Sequence, residues 1–199
     1  EPYRRQRQMC IRDRFKRGSR MIFKTEYNSP IGNITLASDG KYLLGLWIEG
    51  QKYFQGSVNE EMVEDDSLKI FKNTKNWLKR YFAKQKPDIK ELPLAPKGNE
   101  FRQAVWRILC EIPYGEVTTY GEIAKKIAKI MNKTAMSAQA VGGAVGKNPV
   151  SIIIPCHRVI GTNGSLTGYA GGINIKVKLL ELEGVDMSKM FVPKNSTAP

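Results

Sequence analysis

An α+β fold in two units is the architecture this sequence predicts, and three observations predict it. Residues 21–48 alternate apolar and polar side chains between turn signals, as a meander of short strands does. Later stretches repeat their apolar residues at helical spacing. Between the strand-rich and helix-rich parts lies a polar segment, 85–98, broken by Pro87, Pro93, Pro96 and Gly98. With 199 residues the chain suits one domain or two small ones, either of which can bury a core.

The elements follow in order. Met21 to Tyr27 reads as a strand closed by the turn signal Asn28-Ser29-Pro30. Gly32 to Ser38 alternates again, with Ile34 and Leu36 inward, and Asp39-Gly40 marks a tight hairpin. Tyr42 to Ile48 is a third strand with Leu44, Leu46 and Ile48 on one face. Residues 67–84 carry Leu68, Phe71, Trp77, Leu78, Tyr81 and Phe82 at helical spacing. Beyond the break, Phe101, Ala104, Val105, Ile108, Leu109 and Ile112 form a second helical pattern, with Asn99 placed to cap it. Thr118-Thr119-Tyr120 leads into a third (Ile123, Ala124, Ile127, Ile130), 131–136 is a loop, and Ser137 caps Ala138 to Lys147. Val150 to Ile154 reads as a buried strand, and Asn174 to Glu183 as a helix stopped by Gly184.

Composition excludes several classes. No stretch approaches 18 consecutive apolar residues, which excludes a transmembrane helix. Three cysteines exclude a disulfide scaffold and fit a reducing, intracellular setting; one histidine excludes a histidine-rich metal site. The formal charge of +13 points to an anionic partner, with plain solubility as the alternative. Almost half of it sits in residues 1–20, where eight basic residues face Glu1 and Asp13. That stretch reads as a disordered or non-native leader ahead of Met21.

The chemistry centres on Pro155-Cys156-His157-Arg158-Val159, a cysteine beside the sole histidine at the end of an apolar run. A thiol attacks as thiolate and needs a neighbouring base or cation. In a regular strand adjacent side chains point to opposite faces, so a working Cys–His pair requires a water bridge or a turn beginning at Cys156. Glu183 shares a helix face with Leu179 and Leu180; a partly buried carboxylate there needs a partner, and an imidazole serves. The helix 138–147 is made of small residues, among them Gly142, Gly143 and Gly146, which implies close approach of something to its backbone. Composition favours tight helix packing over a nucleic-acid backbone. Cys110 is a core residue of its helix.

These pieces resemble the O6-alkylguanine-DNA alkyltransferases, also called methylated-DNA–protein-cysteine methyltransferases. The matching segments are Ala140-Val141-Gly142-Gly143-Ala144, Asn148-Pro149, Ile154-Pro155-Cys156-His157-Arg158-Val159, Tyr169-Ala170-Gly171-Gly172 and Leu182-Glu183-Gly184. Pro113 to Tyr120 is similar to that family's entry to its helix-turn-helix. The likeness is strong from Phe101 onward and looser before it. It implies a small N-terminal β-meander/helix domain of RNase H-like type (21–92), a linker (93–98), a winged helix-turn-helix-like domain carrying the active site (99–187) and a tail (188–199).

The resemblance also implies a function: single-turnover repair of double-stranded DNA, in which an O6-alkylguanine is flipped out and its alkyl group passes to Cys156. His157 would deprotonate the thiol through a water, Glu183 would orient His157, and Asn148 would support the loop. Tyr120, Val145, Val159, Tyr169 and Ala170 would bind the base and its alkyl group. Thr119, Ala138, Gln139, Ala140, Gly142 and Arg158 would contact DNA, the small-residue helix lying along the minor groove. Many family members have Arg where Gln139 stands. No cofactor, metal or membrane is implied, and the expected state is a cytoplasmic monomer. A damage-binding protein without transfer activity is the alternative, and an unrelated cysteine hydrolase a third.

Overall fold

A computed structural model describes residues 21–194; the leader expected at 1–20 lies outside the described residues. Strands β1 (Ile22–Ser29), β2 (Gly32–Ser38) and β3 (Leu43–Ile48) form an antiparallel meander. A short strand that the periodicity did not reveal, β4 (Met62–Glu64), pairs parallel to β1 and gives the order β3-β2-β1-β4. Three residues are too few to show an alternation.

The third strand departs from the expected one-face pattern. Its register slips opposite Ala37/Ser38, where Leu43 pairs with Ser38 but Gly45 with Ala37. Leu44 is therefore the extra residue of a bulge. It turns into a small cluster with Ala37 and Trp47, while Leu46 and Ile48 face the main core.

Helix α1 (Lys69–Phe82) buries Phe71, Trp77, Leu78 and Tyr81. The proline-broken segment is not loose: Leu43 N–H donates to the Pro93 carbonyl (2.8 Å) and Ala95 N–H to the Leu43 carbonyl (2.9 Å), so it lies along the β3 edge. Farther along that edge Leu46 N–H donates to Pro149 (2.8 Å) and Ser151 N–H to Leu46 (3.0 Å). The edge strand thus fastens the segment that leads into the Cys156 turn, and its exposed hydrogen-bonding groups are covered.

The helical half follows its capping residues. Asn99 accepts from Arg102 N–H at the start of α2 (Glu100–Cys110). Thr119 and Glu122 form a capping box on α3 (Tyr120–Ile130), and Ser137 accepts from Gln139 and Ala140 N–H at α4 (Ala138–Gly146). Trp106 Nε1 donates to the Ala144 carbonyl (2.9 Å), tying α2 to α4. A two-residue strand β5 (Thr118–Thr119) pairs parallel with β6 (Val159–Ile160), and α5 (Ile173–Leu182) follows. One continuous core joins the halves, containing Ile34 and Leu46 from the sheet, Tyr81 from α1, and Val105, Val141 and Leu179 from the later helices.

Val150 to Ile154 is buried as expected but is not a strand. Val150 makes one bridge to Leu46, and the chain then coils: Ile153 N–H donates to Ser151 (2.8 Å) and Ile154 N–H to Val150 (3.0 Å). Ile152 sits at φ 69°, a left-handed conformation that a β-branched residue adopts only under strain. An apolar run records burial, not direction, so coil and strand look alike in the sequence.

Candidate active site

Coiling delivers Cys156 into a single 3₁₀ turn, Cys156–Arg158. This is the turn that the Cys–His pair required, in place of a strand. Asn148 holds its base. The Asn148 side-chain amide donates to the Ile154 carbonyl (2.8 Å) and reaches Cys156 Sγ at 3.2 Å, while its oxygen accepts from Val150 N–H (3.0 Å). Cys156 is buried. Burial pushes the thiol up, opposed by the Asn148 amide and by the charge of Lys176. The resting group is therefore the thiol, and attack by sulfur needs a proton acceptor.

His157 is wholly buried, and its Nε2 lies 2.6 Å from Glu183 Oε1. Its other ring nitrogen, Nδ1, is buried without a hydrogen-bond partner. Burial pushes the imidazole down; the Glu183 carboxylate works against this. Glu183, one residue past the end of α5 at its C-cap, is buried yet saturated with donors. Tyr81 Oη–H reaches Oε1 at 2.6 Å, Arg158 Nε reaches Oε2 at 2.8 Å and Nη2 reaches Oε1 at 3.0 Å, and Gly115 N–H reaches Oε2 at 3.1 Å. Burial alone would raise this carboxyl, but His157 and Arg158 outweigh it and hold the group well below the ordinary carboxylate range. Gly115 lies at φ 80°, the conformation that turns its N–H toward Glu183.

Lys176 is a second buried cation. Its Nζ donates to the Val159 carbonyl (2.5 Å) and the Thr167 carbonyl (2.9 Å), and burial lowers it to about 8 against the attraction of Cys156. The sequence carried a signal for it: Lys176 precedes Leu179, Leu180 and Glu183 by three, four and seven residues, on the same helix face. Tyr81 carried no such signal, because only the tertiary fold brings α1 against Glu183.

On the outer side lies an open cleft of about 680 Å³ lined by Tyr120, Ala138, Gln139, Gly142, Gly143 and Thr162 among others. A Cβ built on Gly143 or Gly146 meets nothing within 4 Å, and one on Gly142 meets only the Tyr120 ring at 3.9 Å. The glycines of α4 are not there for tight helix packing. Tyr120 Oη–H donates to the carbonyls of Thr167 (3.1 Å) and Gly168 (3.3 Å); burial pushes the phenol well up, and the charge of Cys156 adds to it. Gly168, at φ 72°, is a glycine because a Cβ would stand 2.8 Å from that hydroxyl.

Two family models match this chain. One, described as 6-O-methylguanine DNA methyltransferase, ribonuclease-like domain, spans residues 22–96; the other, 6-O-methylguanine DNA methyltransferase, DNA binding domain, spans 100–185. A methylated-DNA–protein-cysteine methyltransferase of Haemophilus influenzae is 40% identical over 164 residues, 82% of this chain and 87% of that one. The chain belongs to the 6-O-methylguanine DNA methyltransferase family. A Methanosarcina acetivorans protein of the same name is 45% identical over 159 residues, 79% of this chain and 96% of that one. Among solved structures, Mycobacterium tuberculosis OGT in complex with DNA superimposes with a TM-score of 0.70 at 40% identity, covering 84% of this chain and 94% of that chain. The two-domain fold of the 6-O-methylguanine DNA methyltransferase family, ribonuclease-like then DNA-binding, is the fold of this chain.

Within this methyltransferase fold the expected site residues divide. Cys156, His157, Glu183 and Asn148 come together as described. Ala138, Gln139 and Ala140 are exposed on α4, and Thr119 caps α3. Val145, Val159 and Tyr169 are buried; the Tyr169 ring stands edge-on to His157 at 6.5 Å. The Ala170 carbonyl accepts from Lys52 N–H at 2.9 Å, and the Val159 carbonyl is already held by Lys176. Arg158 corrects the expectation of a DNA contact. It is 5% exposed, paired with Glu183, and its Nη1 donates to the Ile112 carbonyl at 2.6 Å. An Arg in a sequence suggests a surface cation; here the 3₁₀ turn points it inward, toward a buried carboxylate. Among the described residues, no helix is long and apolar enough to cross a membrane, and no group of three or more His, Cys, Asp or Glu could hold a metal ion.

Proposed function

We propose that the chain is a single-use DNA repair enzyme, a methylated-DNA–protein-cysteine methyltransferase whose acceptor is Cys156. One observation carries the reading: a buried thiol held by Asn148 adjoins a buried histidine with Nε2 on a carboxylate and Nδ1 unpartnered. That is a nucleophile, a base with one free nitrogen, and a group orienting the base. The relatives named for this activity support the same reading.

The alkylated guanine leaves the stack and enters the site, as chemistry on a paired base requires. The Cys156 proton passes through a water to His157 Nδ1, and the sulfur attacks the alkyl carbon. The new S–C bond replaces the C–O6 bond, whose electron pair stays with the guanine; Tyr120 or solvent supplies the proton that neutralises it. Glu183 stabilises the imidazolium that forms. The thioether is stable, so each chain acts once, as a monomer without a cofactor. Val145, Val159, Tyr169 and Ala170 surround the base and its alkyl group. Thr119, Ala138, Gln139, Ala140 and Gly142 meet the duplex along the cleft, where the bare backbone of α4 lets the groove approach closely. Such work belongs in the cytoplasm, at the nucleoid in a prokaryote.

Intact mass after incubation with duplex DNA containing O6-methylguanine tests this. The expected result is a gain of one methyl in place of hydrogen, mapped to Cys156 and absent from Cys156→Ala. Binding without a mass gain overturns it in favour of a damage-binding protein, and repeated turnover of an ester or amide in favour of a hydrolase.

A further inference from the structure

The cluster behind Cys156 is not built from the DNA-binding domain alone. Gly115, His157 and Arg158 reach Glu183 from within that domain, whereas Tyr81 reaches it from α1 of the ribonuclease-like domain, 102 residues earlier in the chain. The Tyr81 ring is fixed whether or not it carries a hydroxyl. It stacks on Trp77 (5.5 Å between centroids, 8° between planes) and meets Phe82 and Tyr114 edge-on at 5.3 and 6.0 Å. The residue is 1% exposed. A hydroxyl in such a place is there for its hydrogen bonds.

Those bonds constrain the histidine. The single Tyr81 hydrogen goes to Glu183 Oε1 at 2.6 Å, so the lone pairs of Tyr81 Oη face His157 Nε2 at 3.4 Å. Both oxygens beside Nε2 are then acceptors, and Nε2 must carry the hydrogen. The neutral ring is left with Nδ1 bare, the nitrogen that has no protein partner. Tyr81 and Arg158 also both draw on the carboxylate, which weakens its pull on the imidazole.

We infer that Tyr81 is a positioning residue: its hydroxyl spends its one hydrogen on Glu183, presents only lone pairs to His157 Nε2 and moderates the carboxylate that holds the ring as the Nε2–H tautomer, so that the N-terminal domain sets the basicity of the group that takes the thiol proton. The role in catalysis rests on the reading of Cys156 as alkyl acceptor given above; the effect on His157 does not. The other charged or titratable groups around the ring are Glu183 and Lys176 from α5, Arg158 and Cys156 on its own turn, and Tyr169 from the loop after β6. None of them changes in Tyr81→Phe, which removes one oxygen and leaves the stacked ring.

His157 is the only histidine in the chain, so its imidazole signals are unambiguous in nitrogen-15 NMR of the 199-residue chain. In the wild type the neutral ring should carry its hydrogen on Nε2; finding it on Nδ1 overturns the proposal without any variant. In Tyr81→Phe the carboxylate loses a donor and pulls harder on the imidazolium. The His157 midpoint should rise by about half a unit to one unit. The pH limb of methyl transfer, measured in single-turnover mixing with methylated duplex, should move up with it, leaving transfer about three- to tenfold slower on the acid side of the limb. A purely structural Tyr81 would lower the unfolding midpoint and leave both titrations in place, and that result overturns the proposal. If the wild type takes up no methyl group but the His157 midpoint still moves in Tyr81→Phe, the alkyltransferase reading fails while the control of His157 stands.

Discussion

Two regions of the molecule, the cluster behind the Cys156–Arg158 turn and the cleft along α4, are built on opposite principles. Behind the turn, His157, Arg158, Glu183 and Tyr81 form a closed cluster in which every oxygen and nitrogen of the carboxylate–guanidinium pair is engaged. Along the cleft of about 680 Å³, α4 offers glycines such as Gly143, whose missing side chain would have met open space. Charged side chains serve the interior and fix the base. The face along the cleft is instead short of side chains, with Gly142 and Gly143 on α4. The formal +13 of the chain is therefore a poor guide to surface charge near this turn: Arg158 is spent internally on Glu183.

The largest effect expected from breaking this contrast is on the closed side. Burying an ion pair costs several kcal/mol per ion, and the cluster persists because it is complete. Glu183→Gln leaves Arg158 buried without a counter-charge and should destabilise the fold by roughly 3–5 kcal/mol, read from urea unfolding. The wild type also predicts a pH signature. A carboxyl held below its ordinary value contributes stability that is fully present above the unfolded carboxyl near about 4.3 and is lost as pH falls from there toward the folded value. Glu183→Gln should flatten that acid loss. A cost under about 1 kcal/mol with an unchanged acid slope would mean that the cluster is not what holds the turn.

How much of this contrast the sequence disclosed depends on the range of the forces involved. The caps Asn99 and Ser137 are local, acting within three residues, and they place two helix starts; the Thr119–Glu122 capping box is just as local but is identified only in the structure. Cys156, His157 and Glu183 stand out by residue type and company, whereas Asn148 is picked out only by the family resemblance. The resemblance puts Arg158 on DNA and the structure turns it inward, since direction within a 3₁₀ turn leaves no trace in residue type. The segment 150–154 reads as a strand because burial on all sides erases periodicity. Tyr81 and Leu44 depended on tertiary facts: the first on domain docking, the second on a slip of register opposite Ala37 and Ser38.

On the open side a smaller change should act on two measurements with opposite signs. Gly143 lies inside α4, exposed, with space for a methyl. Gly143→Ala should stabilise the protein by up to about 1 kcal/mol, the ordinary gain in an exposed helix interior. If the bare helix is the face that meets DNA, the same methyl should weaken duplex binding several-fold in a titration at fixed salt. Greater stability with unchanged duplex affinity would remove α4 from the interface and leave its glycines without a function.

The smallest effect concerns Gln139, exposed on the first turn of α4 and lining the cleft. An added cation next to a nucleic-acid backbone displaces about one counterion, so Gln139→Arg should steepen the salt dependence of duplex binding by about 0.9 in the log–log slope. It should also tighten binding a few-fold at low salt. The same charge lies in the first turn of a helix, where the macrodipole disfavours a cation by about 0.3–1 kcal/mol, and the unfolding midpoint should fall slightly. Transfer from free O6-methylguanine base, which offers no phosphate, should stay the same. Equal gains on free base and duplex would mean that the substitution acts on the thiol or its base. A slope unchanged on duplex would place position 139 out of reach of the phosphates and leave the reading of the duplex to Tyr120 and the glycines beside it.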